Sequence, residues 1–317
     1  MTHTRKHRGT EHGRSTTPAR PRPGPSARRA LRRETPSTVG LLVDAEDFAA
    51  MRRYRSFAFD DHTVYLREVE GLLRAFAARG QHASVALFDP QDYAEFCAGA
   101  GLDPDLRGSR SRFTAEVAAT GATVTYTGQP IDALIPLLVS AAVRRATWEY
   151  ATMLLADLGD CRDCGQDIGR AAFDRASHLL ARLLEAAGPG THHLVCTVPA
   201  KDERLLAVLH TTRGAGDAPD GPDRFEPSEG AEFAGVLAVG VALETRGGVV
   251  LRTTAPDTGD RVYGWRLVRG SLVPLSAGEV FDAYCTDADT GEPVPPEPDV
   301  EYRAGFDLGT DEPEAHH

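Results

Sequence analysis

Acidic side chains close several apolar runs in this chain, and carboxylates gathered at one edge of a sheet can hold a divalent cation. Asp44 ends the run Val39–Val43 and is followed by Glu46 and Asp47. Asp89 ends His82–Phe88, and Asp157 ends Tyr150–Ala156 with Asp160 and Asp163 beyond it. Asp132 opens the segment after Ala122–Thr127. Crowded carboxylates repel one another and raise each other's pKa unless a cation neutralises them. Their hard oxygens suit Mg²⁺ or Mn²⁺, which would activate water and bind a phosphate oxygen together. Asp is equally a common turn and helix N-cap residue, so each acid taken singly has a purely structural reading. The chemical reading rests on Asp44, Asp132 and Asp157 acting as a set.

Other reactive types are fewer. Cys161-Arg-Asp-Cys164 has the spacing of a redox pair or of half a zinc site, and no second such pair exists in the chain. Incidental loop cysteines are the competing reading. His192-His193 opens an alternating run, which places one ring inward and one outward, so they do not share a metal. His178 reads as a packed helix residue. Ser109-Arg-Ser-Arg112 offers phosphate contacts or, more simply, a capped and solvated turn. No Walker loop, no GxGxxG after a strand and no nucleophile elbow is present, which disfavours nucleotide-driven and Ser-His-Asp chemistry.

The elements that must position these acids read as alternating strands and helices. Apolar runs near 39–44, 83–88, 122–127, 150–156 and 192–198 read as strands. Between them, Tyr65, Val69, Leu72, Leu73 and Phe76 share a helical face that stops at Gly80. Ser109–Thr120, Ile131–Ala146 and Asp167–Ala187 read as further helices, with Pro136 inside the second. Such alternation predicts an α/β domain over 37–212 on a mainly parallel sheet, whose ligands bind beyond the carboxyl ends of the strands. A Gly/Asp/Pro-rich linker follows at 213–230. Residues 231–288 then read as a smaller antiparallel β-rich part with two hairpins. One joins Val236–Thr245 to Val249–Thr254, the other Val262–Val268 to Leu272–Leu275.

Charge and composition set the ends and the setting. Residues 1–36 carry +8, so the −11 of the whole chain leaves −19 on the remainder. The Pro- and Ser-rich basic arm reads as disordered, as does the acidic tail at 289–317. Lys6 and Lys201 are the two lysines among 35 basic residues, an arginine bias of the kind found in high-GC bacterial genomes. No stretch approaches the ~20 apolar residues of a membrane span, and the run at 39–43 is too short for a signal-peptide core. Five cysteines, an odd number, fit reduced thiols in a cytoplasm.

The segment Leu41-Leu-Val-Asp-Ala-Glu-Asp-Phe48 resembles the opening strand of NYN-domain proteins in the PIN-like nuclease superfamily. The resemblance covers residues 38–200 and implies a parallel α/β sheet with an acidic, metal-binding site that cleaves RNA. By that resemblance Asp44 is the first metal ligand. Asp132, in Ile131-Asp-Ala-Leu134, matches the acid opening the helix after the third strand. Asp157 and Asp160 match the acids closing the fourth. The implied cofactor is Mg²⁺ or Mn²⁺ on Asp44, Asp132 and Asp157, with Asp160 or Asp47 assisting water and the arginine-rich arm meeting RNA phosphates. Asp47 stands where that family has Asn, and Asp157 and Asp160 lie three apart where it has Ser-Gly-Asp-x-Asp. A non-catalytic binding or regulatory protein that keeps the sheet without the chemistry is therefore the second expectation.

Overall fold

The computed structural model describes residues 37–201, 203–214, 227–255, 259–287 and 290–309. The expected basic arm at 1–36 lies outside them. The chain divides into two compact units, the first comprising Met1–Ala118 with Val124–Leu134, the second Ala119–Thr123 with Ile135–His317.

The first unit is built on a three-stranded sheet in the order β1-β2-β3, with β1 at Ser37–Leu41, β2 at Ala83–Leu87 and β3 at Thr123–Thr125. β1 and β2 are parallel, with Val39 opposite Val85. Helices α1 (Ala45–Met51), α2 (His62–Ala78), α3 (Pro90–Ala100) and α4 (Arg107–Thr120) supply the rest. Aspartates start three of these helices. Asp44 Oδ1 accepts from the N–H of Asp47 (2.8 Å), and Asp61 Oδ1 from that of Val64 (2.8 Å). Asp89 Oδ1 accepts from Gln91 (2.6 Å) and Asp92 (3.1 Å). Each side chain satisfies N–H groups that the helix itself cannot pair. The apolar face of α2 then buries Tyr65, Val69 and Leu73.

The second unit is a six-stranded sheet in the order β5-β4-β6-β7-β8, with β9 on β7. Its strands are β4 (Gly190–Ala200), β5 (Glu203–Arg213), β6 (Gly247–Ala255), β7 (Gly259–Val268), β8 (Ser271–Pro274) and β9 (Val300–Tyr302). The pairs β4–β5, β4–β6, β6–β7 and β7–β8 are antiparallel. The pair β7–β9 is parallel. Helices α5 (Ile131–Ala156), α6 (Ile168–Ala187), α7 (Pro227–Ala242) and α8 (Ala277–Tyr284) complete the chain, the first turn of α5 belonging to the first unit. Leu194, Cys196 and Val198 of β4 and Leu205, Ala207 and Leu209 of β5 join α6 and α7 in one core.

This arrangement corrects the expected mainly parallel sheet. The run at 150–156 is the end of α5, not a fourth strand. No glycine or proline separates Ala146 from Tyr150, so the helix begun at Ile131 continues. A short apolar run is ambiguous between strand and buried helix, and here continuity decides. The fifth expected strand, 192–198, lies within β4, where it pairs antiparallel with β5 and β6. The first expected hairpin also fails, because residues 236–242 belong to α7. Every residue from Glu232 to Val241 is buried, so no polar face marks the 3.6-residue period. Gly240 lets this helix lie close to the sheet: a Cβ there would sit 2.6 Å from Leu267 Cδ2 and 2.9 Å from Val198 Cγ2. The second hairpin forms as β7–β8, with Leu267 opposite Leu272. Within the expected acidic tail, Val300–Tyr302 forms β9. No helix among the described residues is long and apolar enough to cross a membrane.

Candidate functional site

The expected metal ligands lie on different elements. Asp44 and Asp89 follow the parallel strands β1 and β2, and Asp47 joins them there. Asp132 is exposed in the first turn of α5, while Asp157 is exposed just past its last residue. Roughly seven turns of helix separate the two. Asp160 is exposed in the following loop, where it bridges to Asp167. Among the described residues no three His, Cys, Asp or Glu side chains are grouped to hold a metal ion. Asp44 and Asp89 are engaged as helix caps.

Asp47 registers the crowding at this edge. Partial burial, then the charges of Asp44, Asp89 and Glu46, push its carboxyl up to about 6. The folded chain thus holds a proton between pH 3.8 and about 6 that the unfolded chain releases. The associated stability is full below pH 3.8 and is lost as pH rises through about 6. Asp47→Asn, which cannot ionise, is expected to stabilise the protein at pH 8 by about 1 kcal/mol after discounting for solvent screening, and not at pH 3.5. Thermal melts of both proteins at the two pH values check this.

Beside the same strand ends lies a cavity of about 430 Å³, contained within the first unit. Leu42 and Phe88, one residue beyond β1 and β2, form its floor with Gly40. Met51 of α1, Tyr65 of α2 and Phe57, Ala58 and Phe59 of the connecting segment form one wall. Arg107, Arg110 and Thr114 of α4 form the other. The aromatic wall is packed ring to ring. Phe57 and Phe59 centroids are 5.5 Å apart, Phe59 and Tyr65 5.2 Å, and Phe48 and Phe57 5.5 Å. Each such pair contributes roughly 0.5–1.5 kcal/mol beyond area burial.

The segment between α1 and α2 is held at Ser56. Arg110 Nη1 donates to Ser56 Oγ (2.7 Å) and Nη2 to Ser56 O (3.2 Å), while the Ser56 N–H donates to Asp105 Oδ1 (3.1 Å). Tyr65 secures the β1 edge: its hydroxyl accepts from the N–H of Leu42 (3.2 Å) and donates to Gly40 O (3.4 Å). Burial raises the Tyr65 pKa, keeping the phenol neutral. Arg107 is exposed at the mouth and makes no side-chain hydrogen bond or ion pair among the described residues. The arrangement offers a half-open apolar and aromatic pocket with one guanidinium available to an anion. Gly40 fits its place because a Cβ there would lie 2.8 Å from Phe88 Cδ2 and 3.0 Å from Thr114 Oγ1.

Ser56, Phe57, Ala58 and Phe59 line the cavity, and they close the run Arg52-Arg-Tyr-Arg-Ser-Phe-Ala-Phe59, for which no role was expected. Its density of aromatics and arginines was the available signal. Ser109-Arg-Ser-Arg112 lies within α4, where buried Ser109 donates to Asp103 O (2.6 Å) and Arg110 holds Ser56. His192 is fully buried, with Nδ1 3.0 Å from Thr253 Oγ1 and Nε2 2.9 Å from Gly188 O. His193 stacks on His210 across β4–β5 (4.5 Å). Burial and then His210 lower its pKa, which disfavours the charged ring.

The family model for a domain of unknown function (DUF8829) matches residues 26–129. That is roughly a third of the chain, and all the cavity residues, Gly40 through Thr114, fall inside it. No curated protein and no solved structure matches the chain.

Proposed function

We propose that the first unit is a small-molecule-binding module whose ligand joins a flat apolar body to one anionic group. The half-open cavity at the ends of β1 and β2 carries this reading, with its apolar and aromatic lining and the exposed Arg107 among its lining residues. Its volume of about 430 Å³ suits one small ligand. Pockets of roughly 300–1,000 Å³ with a few convergent polar groups are the usual form of such sites. The ends of parallel strands are also where α/β sheets place ligands. Phe57, Phe59, Phe88, Leu42 and Met51 would take the apolar body, and Arg107 would form charge-assisted hydrogen bonds to a carboxylate, sulfonate or phosphate. Arg110 is a positioning residue, since its guanidinium holds Ser56 and thereby the aromatic wall. This reading is non-catalytic, but it differs from the alternative drawn from the sequence, which kept the mainly parallel sheet and gave the β-rich part and the charged tails to partners. Metal-dependent RNA cleavage lacks an assembled ligand set among the described residues, so no catalytic step is assigned.

Calorimetric titration with 1-naphthalenesulfonate and with neutral 1-naphthalenemethanol tests the reading. Arg107→Ala is expected to weaken the sulfonate about tenfold, about 1.4 kcal/mol, and to leave the alcohol unchanged. Failure of wild type to bind the sulfonate, or equal weakening of both compounds, would overturn the assignment.

A further inference from the structure

The connection between α5 and α6 carries two cysteines on a closed, hydrogen-bonded loop. The Cys161 N–H donates to Gln166 O (2.8 Å), the Gly165 N–H to Cys161 O (2.8 Å), and the Ile168 N–H to Gly159 O (3.1 Å). Asp160 bridges to Asp167 across the base. Gly159 and Gly165 take φ values of 65° and 71°, a left-handed backbone that other residues adopt only with strain, and so allow the chain to double back. Asp167 then caps α6 by accepting from the Arg170 N–H (2.8 Å).

At the tip this geometry is directed at sulfur. The Asp163 N–H donates to Cys161 Sγ at 3.4 Å, the Cys164 N–H is aimed at the same atom, and the Cys164 thiol is within hydrogen-bonding reach of it. Cys161 is half-buried and Cys164 exposed. Cys97, Cys196 and Cys285 are buried, and none of the five is in a disulfide. The other potential metal donors are not grouped with the pair: no set of three His, Cys, Asp or Glu exists among the described residues. Zinc needs four ligands in a structural site. Two neighbouring thiols with no third donor grouped beside them among the described residues suit exchange with another disulfide.

We infer that Cys161 and Cys164 form a reversible dithiol–disulfide site that exchanges with small disulfides of the glutathione class. Cys161 is the attacking sulfur, because backbone N–H groups stabilise its thiolate. Those of Cys164 and Asp163 lower its pKa, in that order of effect. The Cys161 thiolate attacks one sulfur of the small disulfide, RSSR. A Cys161–S–S–R bond forms, the original S–S bond breaks, and RS⁻ departs to take up a proton. Cys164 then gives its proton to solvent and attacks Cys161 Sγ, expelling the second RS⁻, which is protonated in turn. The two protein thiols are oxidised to one disulfide, and one RSSR is reduced to two RSH. Cys196 does not compete, because burial pushes its thiol up to about 12.

The test uses the reduced full-length chain, incubated with glutathione disulfide, acid-quenched and analysed by intact and peptide mass spectrometry. Wild type is expected to lose two hydrogens, mapped to a Cys161–Cys164 link that dithiothreitol reverses. Cys164→Ser should accumulate a stable glutathione adduct on Cys161. Cys161→Ser should form an adduct on Cys164 about tenfold more slowly, having lost the activated sulfur. Because both serines replace side chains on a loop, melts matching wild type are expected and serve as the folding control. Four results would overturn the inference: equal adduct rates in the two variants, adducts in wild type without the internal link, first reaction at Cys97, or a zinc ion retained by the isolated wild type that blocks the reaction.

Discussion

Glu232→Gln is expected to raise the thermal stability at pH 8 and to leave it unchanged at pH 4. Glu232 lies on α7 and is 5% exposed, and its Oε1 has no hydrogen-bond partner among the described residues. Arg144 of α5 stands nearby, but its Nη1 is engaged by Glu229 Oε1 at 2.7 Å. Burial pushes the Glu232 carboxyl up to about 7, Arg144 opposes this, and Glu229 adds to it. Between pH 4.5 and about 7 the folded chain therefore binds a proton that the unfolded chain has lost. This contribution to stability is complete below pH 4.5 and disappears as pH rises through about 7. At pH 8 the folded state holds a buried carboxylate, at a cost of about 2–3 kcal/mol. Glutamine keeps the shape and removes the charge. A gain of roughly 5–8 °C in Tm at pH 8 is expected. Destabilisation by glutamine at pH 8 would instead mean that an ionised Glu232 is held by Arg144.

The same residues show where reading a sequence reaches its limit. α2 was legible because Asp61, an apolar face and Gly80 all mark one helix; Tyr65, Val69 and Leu73 are buried on that face, whereas Leu72, also assigned to it, is exposed. The β7–β8 hairpin was legible because Arg269-Gly270 supports the tight reversal, both residues having positive φ. α7 was not legible, since a helix enclosed on all sides shows no period, and its valines imitate a strand. The acids at the ends of β1 and β2 were located correctly at the carboxyl edge. Their type did not reveal their use, because an aspartate that caps a helix and one that binds a cation look alike in one dimension. Asp157 was misplaced, because the run before it is the end of α5 and not a strand. The cavity was hidden for another reason: its walls come from residues 40 to 114, and the arginine that organises it, Arg110, acts on Ser56 across 54 positions. Such a contact has no local signature.

Occlusion of the cavity is the largest expected change in binding. Ala58 lines the mouth and is exposed, so a larger side chain there can be accommodated without disturbing the core. An indole at this position would cover the opening between Phe57, Phe59 and Arg107. The most direct measurement is a fluorescence titration with 8-anilinonaphthalene-1-sulfonate, an aromatic sulfonate that brightens when removed from water. Wild type should bind one equivalent with saturable enhancement. Ala58→Trp should lose at least about 100-fold in affinity, more than about 2.7 kcal/mol, at an unchanged melting temperature. Leu137→Trp, which places the same indole on the exposed face of α5, should bind as wild type does. Undiminished binding by a folded Ala58→Trp protein would contradict the cavity as the ligand site.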